Sequence, residues 1–227
     1  MAAIAIVGKS GTGKSTSYGS IPSLKIKGLN PKETVVINIS GKDLPFPGWK
    51  KKYTGTLSDG GNYLENGSSD VVTKAINFID KERSDIKNIV IDDAQYLMSF
   101  EFLNRAKESG YQKFADIGVS LSKVVNAARQ ATRLNVFFIW HPEPDGENGF
   151  KMKTVGRMVD TYLTLEGLFT VVLYSDVEKT EDNKIQYSFV TNYNGTYPAK
   201  SPVGMFESNR IPNDLGYVVE QIEKYNS

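Results

Sequence analysis

A glycine-rich stretch near the start of the sequence carries the residue types that bind phosphate groups. It follows an apolar run at residues 2–7 and fits the pattern Gly-x-x-x-x-Gly-Lys-Ser. Its members are Gly8, Lys9, Ser10, Gly11, Thr12, Gly13, Lys14, Ser15 and Thr16. Glycines let the backbone curl so that successive N–H groups face phosphate oxygens. The stretch therefore predicts a phosphate-binding loop (P-loop), and the alternative is a flexible Gly/Ser turn.

Two side chains of this loop have predicted roles beyond those of the backbone. The Lys14 ammonium is expected to reach the β- and γ-phosphates of a nucleotide and to act in catalysis, and the Ser15 hydroxyl is expected to ligate Mg²⁺. A helix after the loop is expected to add the positive end of its dipole.

A second motif, NIVIDD at residues 88–93, is an apolar run that ends in two aspartates. The carboxyl ends of strands face the ligand in open α/β sheets. We therefore expect Asp92 to hold Mg²⁺, through water, and Asp93 to polarise an attacking water. The alternative is that the aspartates cap a helix over residues 94–107, and Asp93 fits both roles.

The only histidine, His141, follows the apolar run at residues 135–140. A buried strand there would deliver it to the same sheet edge as Ser15 and Asp92, where it could sense the γ-phosphate. The alternative is a partly buried histidine held by hydrogen bonds.

Short apolar runs and amphipathic stretches alternate along the first 140 residues. Continuous apolar runs predict strands that are buried on both faces, as in a parallel sheet. These runs are residues 2–7, 34–39, 88–91 and 135–140. Apolar positions three and four residues apart predict two helices between them. They are Val72, Ile76 and Ile79 after a cap at Ser69, and Ile117, Leu121, Val124 and Ala128.

The pattern changes after residue 140. Residues 141–149 form a turn-rich stretch, and the runs 169–175 and 185–191 predict an antiparallel hairpin. A helix is expected around residues 215–225. We predict one three-layer α/β domain over residues 1–227, with a mainly parallel sheet, a nucleotide-binding core in 1–141, and a hairpin and C-terminal extension in 142–227.

Composition excludes several classes of protein. The 227 residues include no cysteine, which excludes disulfide scaffolds and thiolate chemistry, and the single histidine argues against a histidine metal site. The net charge of +1 means that any nucleic-acid contact would use a local patch. No apolar stretch approaches the ~18 residues of a membrane span. We expect a soluble cytoplasmic protein without membrane contact.

Four parts of the sequence resemble the RecA-like core ATPases encoded by bacteriophages, a group that includes AAA-type nucleotide-binding proteins and single-strand DNA annealing proteins. They are the P-loop, IVIDD, KMKTVGRMVDTYLTLEGLFTVVL from residue 151 and AKSPVGMFESNRIPNDLGYVVEQI from residue 199. The resemblance covers nearly the whole chain. It implies a RecA-type sheet in which the strand before His141 lies between those that carry the P-loop and Asp92. It also implies ATP with Mg²⁺, binding of single-stranded DNA, and the cytoplasm of an infected bacterial host.

RecA-like proteins assemble head to tail with ATP between subunits, so the resemblance implies a homo-oligomer. Lys151, Lys153 and Arg157 are the candidates to contact phosphate bound to a neighbouring subunit, and the alternative is a solvated basic turn. One departure concerns catalysis, because the glutamate that RecA carries after its second core strand is missing. Ser40 stands near that position and Asp43 lies further along. Slow hydrolysis, or ATP acting as an assembly switch, is therefore expected.

The stretch WKKKY at residues 49–53 is the candidate for DNA contact, since cations bind backbone phosphates and aromatic rings stack on unpaired bases. The alternative is a solvated loop. Two other functional classes remain open: a small-molecule kinase, and a non-hydrolysing nucleotide switch that acts on a protein. The absence of arginine from HPEPDGENGF, at residues 141–150, argues against a kinase lid.

Overall fold

The computed structural model of the protein describes residues 2–146, 149–180 and 182–227, and the side chains of Arg157, Met158 and Tyr162 lie outside that description. The strands are β1 Ala3–Val7, β2 Thr34–Asn38, β3 Tyr63–Glu65, β4 Asn88–Asp92, β5 Asn135–Trp140, β6 Pro142–Asp145, β7 Gly149–Met152, β8 Val171–Lys179, β9 Ile185–Val190 and β10 Arg210–Pro212. The helices are α1 Trp49–Lys52, α2 Ser69–Glu82, α3 Tyr96–Asn104, α4 Gln112–Gln130, α5 Arg157–Tyr162 and α6 Leu215–Asn226. Within the described ranges, no helix has the length and apolarity to cross a membrane.

One large sheet organises the domain. Among the described residues it contains eight strands in the order β10-β9-β8-β1-β5-β4-β2-β3. The strands from β8 to β3 in this order pair in parallel, whereas β9 and β10 pair antiparallel. The predicted class is confirmed, and so is the position of β5 between β1 and β4. The carboxyl ends of these three strands consequently lie side by side.

Helices and loops cover both faces of this sheet. Alternate strand residues point to opposite faces. Ala5 and Phe138 pack in the apolar cluster that includes Val124 of α4, while Ile6 packs in the cluster that includes Val218 of α6. Because both faces are buried, the central strands read as unbroken apolar runs.

The predicted hairpin is confirmed, but it is part of the main sheet. Strands β8 and β9 pair antiparallel, and β8 pairs in parallel with β1. The sheet is therefore continuous across the boundary predicted at residue 141.

Three features differ from the predicted elements. The stretch at 141–149, predicted as a loop, contributes β6, which pairs with β7 in a separate two-stranded sheet. Strands β3 and β10 were not predicted. The helix expected over residues 94–107 is shorter, since α3 is Tyr96–Asn104.

The prediction of a helix after the P-loop is also wrong. Only one turn of 3-10 helix, Ser15–Tyr18, follows, and the chain is extended at Gly19. A Cβ atom at Gly19 would lie 2.4 Å from the Phe46 ring, so this position needs glycine. One turn carries little of a helix dipole, so the N–H groups of the loop are left as the main backbone donors for phosphate.

Candidate functional site

The P-loop is anchored to the two strands that flank β1. The Gly8 backbone N–H donates to the Trp140 carbonyl at 3.1 Å, which joins the loop to the end of β5. The Ser175 hydroxyl of β8 donates to the Thr12 carbonyl at 2.8 Å. A Cβ atom at Gly8 would lie 2.6 Å from Thr12 Oγ1 and 2.7 Å from Ser175 Oγ, so only glycine fits this close approach.

Lys14 is a buried cation that its own loop holds. Its ammonium donates to the Lys9 carbonyl at 2.8 Å, and only 6% of the residue is exposed. Burial lowers the pKa of Lys14 to about 8, although Asp93 and Asp92 oppose the shift. No carboxylate of the described residues pairs with this ammonium within 4.0 Å. A phosphate would therefore supply the anionic partner that Lys14 lacks.

Asp92 ends β4 and is fully enclosed by hydrogen-bond donors. The Ser15 hydroxyl donates to Asp92 Oδ1 and the Tyr18 hydroxyl to Asp92 Oδ2, both at 2.8 Å, and the Asp93 N–H donates to Oδ1 at 3.1 Å. Burial raises the pKa of Asp92, and the bonds from Ser15 and Tyr18 oppose this. Burial and the neighbouring carboxylate also raise the pKa of Tyr18 well above its ordinary value.

The pair of Ser15 and Asp92 fits a site for Mg²⁺. Both groups offer oxygen, which this ion prefers. No cluster of three or more His, Cys, Asp or Glu side chains that could hold a metal occurs in the described ranges. The protein would therefore supply few ligands, and phosphate oxygens and water would complete the octahedron, as is usual for Mg²⁺ at nucleotide sites.

Asp93 is held in an uncommon conformation among cationic and polar partners. Its φ angle is 58°, in the left-handed region that non-glycine residues rarely adopt. The Lys42 ammonium lies 2.6 Å from Asp93 Oδ2, and His141 Nε2 lies 3.5 Å from Oδ1. Burial alone would raise the pKa of Asp93, but hydrogen bonds from His141, Lys42 and Ser40 hold it below its usual range. Its carboxylate is therefore ionised at neutral pH.

His141 lies at the predicted edge of the sheet. Its backbone N–H donates to Gln95 Oε1 at 3.2 Å, and its side chain is a quarter exposed. The residue is both partly buried and in contact with Asp93, so both interpretations of His141 stay open.

A cavity of about 490 Å³ brings these groups together. The predicted residues that line it are Ser10, Gly11, Gly13, Lys14, Ser15, Thr16, Asp92, Asp93 and His141. It also contains Lys42, Asn213 and Tyr187, which the sequence analysis missed. Lys42 could have been found, because it closely follows β2, whose carboxyl end shares this edge of the sheet.

Lys151 and Lys153 are not among the residues that line this cavity. Lys151 contacts Asp160 at 2.6 Å and Glu143 at 3.3 Å, and it lines a different cavity. Lys153 is exposed, and its backbone N–H donates to the His141 carbonyl at 2.9 Å. The side chain of Arg157 falls outside the described residues. The trans role suggested for these three residues stays a prediction.

The basic stretch at 49–53 differs from expectation in its last residue. Tyr53 is only 3% exposed and packs edge-on against Phe46 at 6.2 Å, so it is not available to stack on a base. Trp49 is half-buried against Tyr63, and Lys50 lies 3.3 Å from Asp43.

A scan against family models matched residues 1–203 to a family described as an AAA domain. A comparison with curated proteins gave no match. Because the family model spans most of the chain, the protein belongs to this AAA domain family and is a P-loop NTPase with a nucleotide-binding domain.

Proposed function

We propose that this member of the AAA domain family binds ATP with Mg²⁺ and hydrolyses it slowly. The observation that carries the proposal is the convergence of Lys14, Asp92, Asp93 and His141 on one cavity. They come from the P-loop and from the ends of β4 and β5, which are neighbours in the sheet.

Phosphate binding falls to the loop and to Lys14. In ATP hydrolysis, charge is spread over the phosphoryl oxygens, so catalysis depends on positioning and on fixed positive charge. Lys14 would exchange its bond to the Lys9 carbonyl for one to the β- or γ-phosphate. Ser15 and Asp92 would hold Mg²⁺, which neutralises charge on the phosphates.

Asp93 is the candidate to orient the attacking water. Because its pKa is low, it is a weak proton acceptor, and it would act mainly by hydrogen-bonding the water. Its oxygens are occupied by Lys42 and His141. A γ-phosphate that draws the Lys42 ammonium away would free an Asp93 oxygen for the water. The need for this exchange supports slow hydrolysis.

The proposal extends to single-stranded DNA and head-to-tail assembly in phage recombination, on the basis of the resemblance to phage ATPases. A specific observation supports a link between ATP and the basic stretch. Lys42 pairs with Asp93 in the cavity, and the next residue, Asp43, pairs with Lys50 on α1. A change at the γ-phosphate would therefore be transmitted to α1 over a few residues.

Phosphate release under multiple turnover, with and without single-stranded DNA, tests this function. We expect slow release that needs Mg²⁺ and is altered by DNA. Phosphate transfer to a small molecule in place of release would support the kinase alternative, and tight ATP binding without turnover would support the switch protein.

DNA contact needs its own control. Fluorescence anisotropy with a labelled oligonucleotide should show binding that weakens as salt rises, because counterions are released. Replacing Lys50 and Lys51 by alanine should weaken this binding, whereas Lys81→Ala, at an exposed position of α2, should not. Equal losses of DNA affinity in these variants would show that α1 is not the DNA contact.

A further inference from the structure

Asn213 carries a buried side-chain amide without a partner. The residue is 4% exposed, and neither its Nδ2 nor its Oδ1 atom finds a hydrogen bond among the described residues. Leaving a buried polar group unpaired destabilises the folded state, so native proteins rarely do so without a reason. Asn213 is among the residues that line the cavity of the P-loop, and because its two amide atoms are themselves enclosed, a ligand would pair with them once the side chain turns toward the cavity.

The amide lies beside an aromatic ring, directly over the P-loop. A Cβ atom at Gly13 would lie 3.1 Å from Asn213 Oδ1 and 3.0 Å from Tyr187 Cδ1. The φ angle of Gly13 is 87°, so the position favours glycine on two grounds. Asn213 and Tyr187 thus form neighbouring parts of one cavity wall.

The sheet and the start of α6 fix this wall. Tyr187 is in β9, and the following residue, Ser188, pairs with Pro212 of β10, which directly precedes Asn213. The Asp214 side chain accepts the Gly216 N–H at 2.8 Å and the Gly28 N–H at 3.0 Å. The backbone of Asn213 is thereby held beside the P-loop by strand pairing and by the hydrogen bonds of Asp214.

The chemistry of the wall matches a nucleobase better than a phosphate. An amide has a donor and an acceptor side by side, whereas phosphate oxygens only accept, which would leave Oδ1 of Asn213 unpaired. Aromatic rings stack on the faces of bases. The same cavity is also lined by Ile21 and Leu24, and ligand sites commonly combine apolar walls with a few polar groups.

We propose that Asn213 recognises adenine through its N6–N7 edge, with Tyr187 against the face of the base. On this edge adenine presents one donor and one acceptor, which an asparagine amide pairs with at both atoms, whereas guanine presents two acceptors. The assignment rests on the proposed binding of ATP and makes Asn213 the residue that selects ATP over GTP.

The test compares nucleotides that differ in the groups on the N6–N7 edge of the base. Equilibrium binding to the full chain is measured for ATP, GTP, 7-deaza-ATP, which lacks the N7 acceptor, and the triphosphate of unsubstituted purine, which lacks the 6-amino group. Each lost hydrogen bond should weaken binding roughly fivefold to tenfold, and GTP should bind roughly tenfold or more weakly than ATP. GTP binding equal to that of ATP, or 7-deaza-ATP binding equal to that of ATP, would overturn the assignment without any variant.

Asn213→Ala then connects these differences to the residue. The variant should bind ATP, 7-deaza-ATP and GTP within about twofold of one another, because the amide that distinguishes them is gone. Discrimination retained in Asn213→Ala would place base selection elsewhere. The affinity for inorganic tripolyphosphate, measured by its competition with bound nucleotide, should be equal in wild type and variant, since the phosphate contacts remain. If wild type binds no triphosphate, or if Lys14→Ala binds ATP as wild type does, the proposed ATP site itself fails.

Discussion

Two regions of the molecule present lysines close to carboxylates, and they use them in opposite ways. In the P-loop, Lys14 is buried against a carbonyl, and burial lowers its pKa. In the hairpin of β6 and β7, Lys151 lies between Asp160 and Glu143, and the hydrogen bond to Asp160 raises its pKa. Lys151 has carboxylate partners within its own chain, whereas Lys14 has only a carbonyl partner and can bind an anionic ligand. A basic motif in a sequence therefore says less about ligand binding than the distribution of carboxylates around it.

The largest expected effect comes from removing the Lys14 side chain of the P-loop. Lys14→Ala should weaken ATP binding or turnover by ~100-fold or more, because it removes the fixed charge that faces the phosphates. Isothermal calorimetry and phosphate release measure the effect, and circular dichroism should show an unchanged fold. The matched variant is Lys151→Ala, whose effect on ATP affinity should stay within about twofold, since Lys151 is paired within the chain and lines a different cavity. Equal losses in both variants would contradict the division of roles.

The next effect concerns two aspartates that each pair with a lysine. Asp93→Asn should lower turnover by ~100-fold while ATP affinity changes by less than about threefold, because a group that orients water acts in the transition state. Asp160, paired with Lys151, is the control. Asp160→Asn should leave turnover unchanged. Wild-type turnover in Asp93→Asn would move the role of Asp93 to Asp43 or to a neighbouring subunit.

Local patterns predicted the central sheet, and non-local contacts account for most of what was missed. The strands β1, β2, β4 and β5 are unbroken apolar runs, and a shared sheet edge correctly brought Ser15, Asp92 and His141 together. The partner of Asp92, Tyr18, could not be inferred, because their contact depends on how the turn after the P-loop packs.

The absence of a helix after the P-loop could have been predicted from the sequence. Gly19 and Pro22 stand within eight residues of Lys14, and both residue types disfavour a helix interior. The expectation of a helix followed the usual form of P-loops instead. Asn213 carries no comparable signal, because burial without a hydrogen-bond partner is visible only in the folded chain.

A smaller effect distinguishes two buried tyrosines that flank Phe46. The Tyr18 hydroxyl donates to Asp92, whereas that of Tyr53 has no partner in the described part of the chain. Tyr18→Phe should cost about 1–3 kcal/mol of unfolding free energy, since it leaves an Asp92 oxygen unpaired. Tyr53→Phe should be neutral or slightly stabilising. Urea denaturation measures both variants.

Tyr18→Phe also offers a readout that loss of stability alone would not change. The Tyr18 hydroxyl fixes the Asp92 carboxylate, so the variant should need several-fold more Mg²⁺ for half-maximal ATP binding. Tyr53→Phe should match the wild type. An unchanged Mg²⁺ requirement in Tyr18→Phe would reduce Tyr18 to a packing role.

The smallest expected effect tests whether the hairpin of β6 and β7 serves a neighbouring subunit. Lys153 is exposed and makes no ion pair with the described residues, so it is free to reach another copy, whereas Lys151 is held by Asp160. If ATP lies between subunits, replacing both lysines by alanine should weaken ATP-dependent assembly more than ATP binding by an isolated subunit. Lys153→Ala alone should account for most of a roughly twofold to fivefold rise in the protein concentration for half-assembly, the range expected for one exposed charge at an interface. Light scattering with and without ATP measures this concentration.

A larger effect of Lys151→Ala than of Lys153→Ala would mean that the ion pairs of Lys151 open on assembly. If neither the wild type nor any variant assembles, the switch protein is favoured over the recombination ATPase.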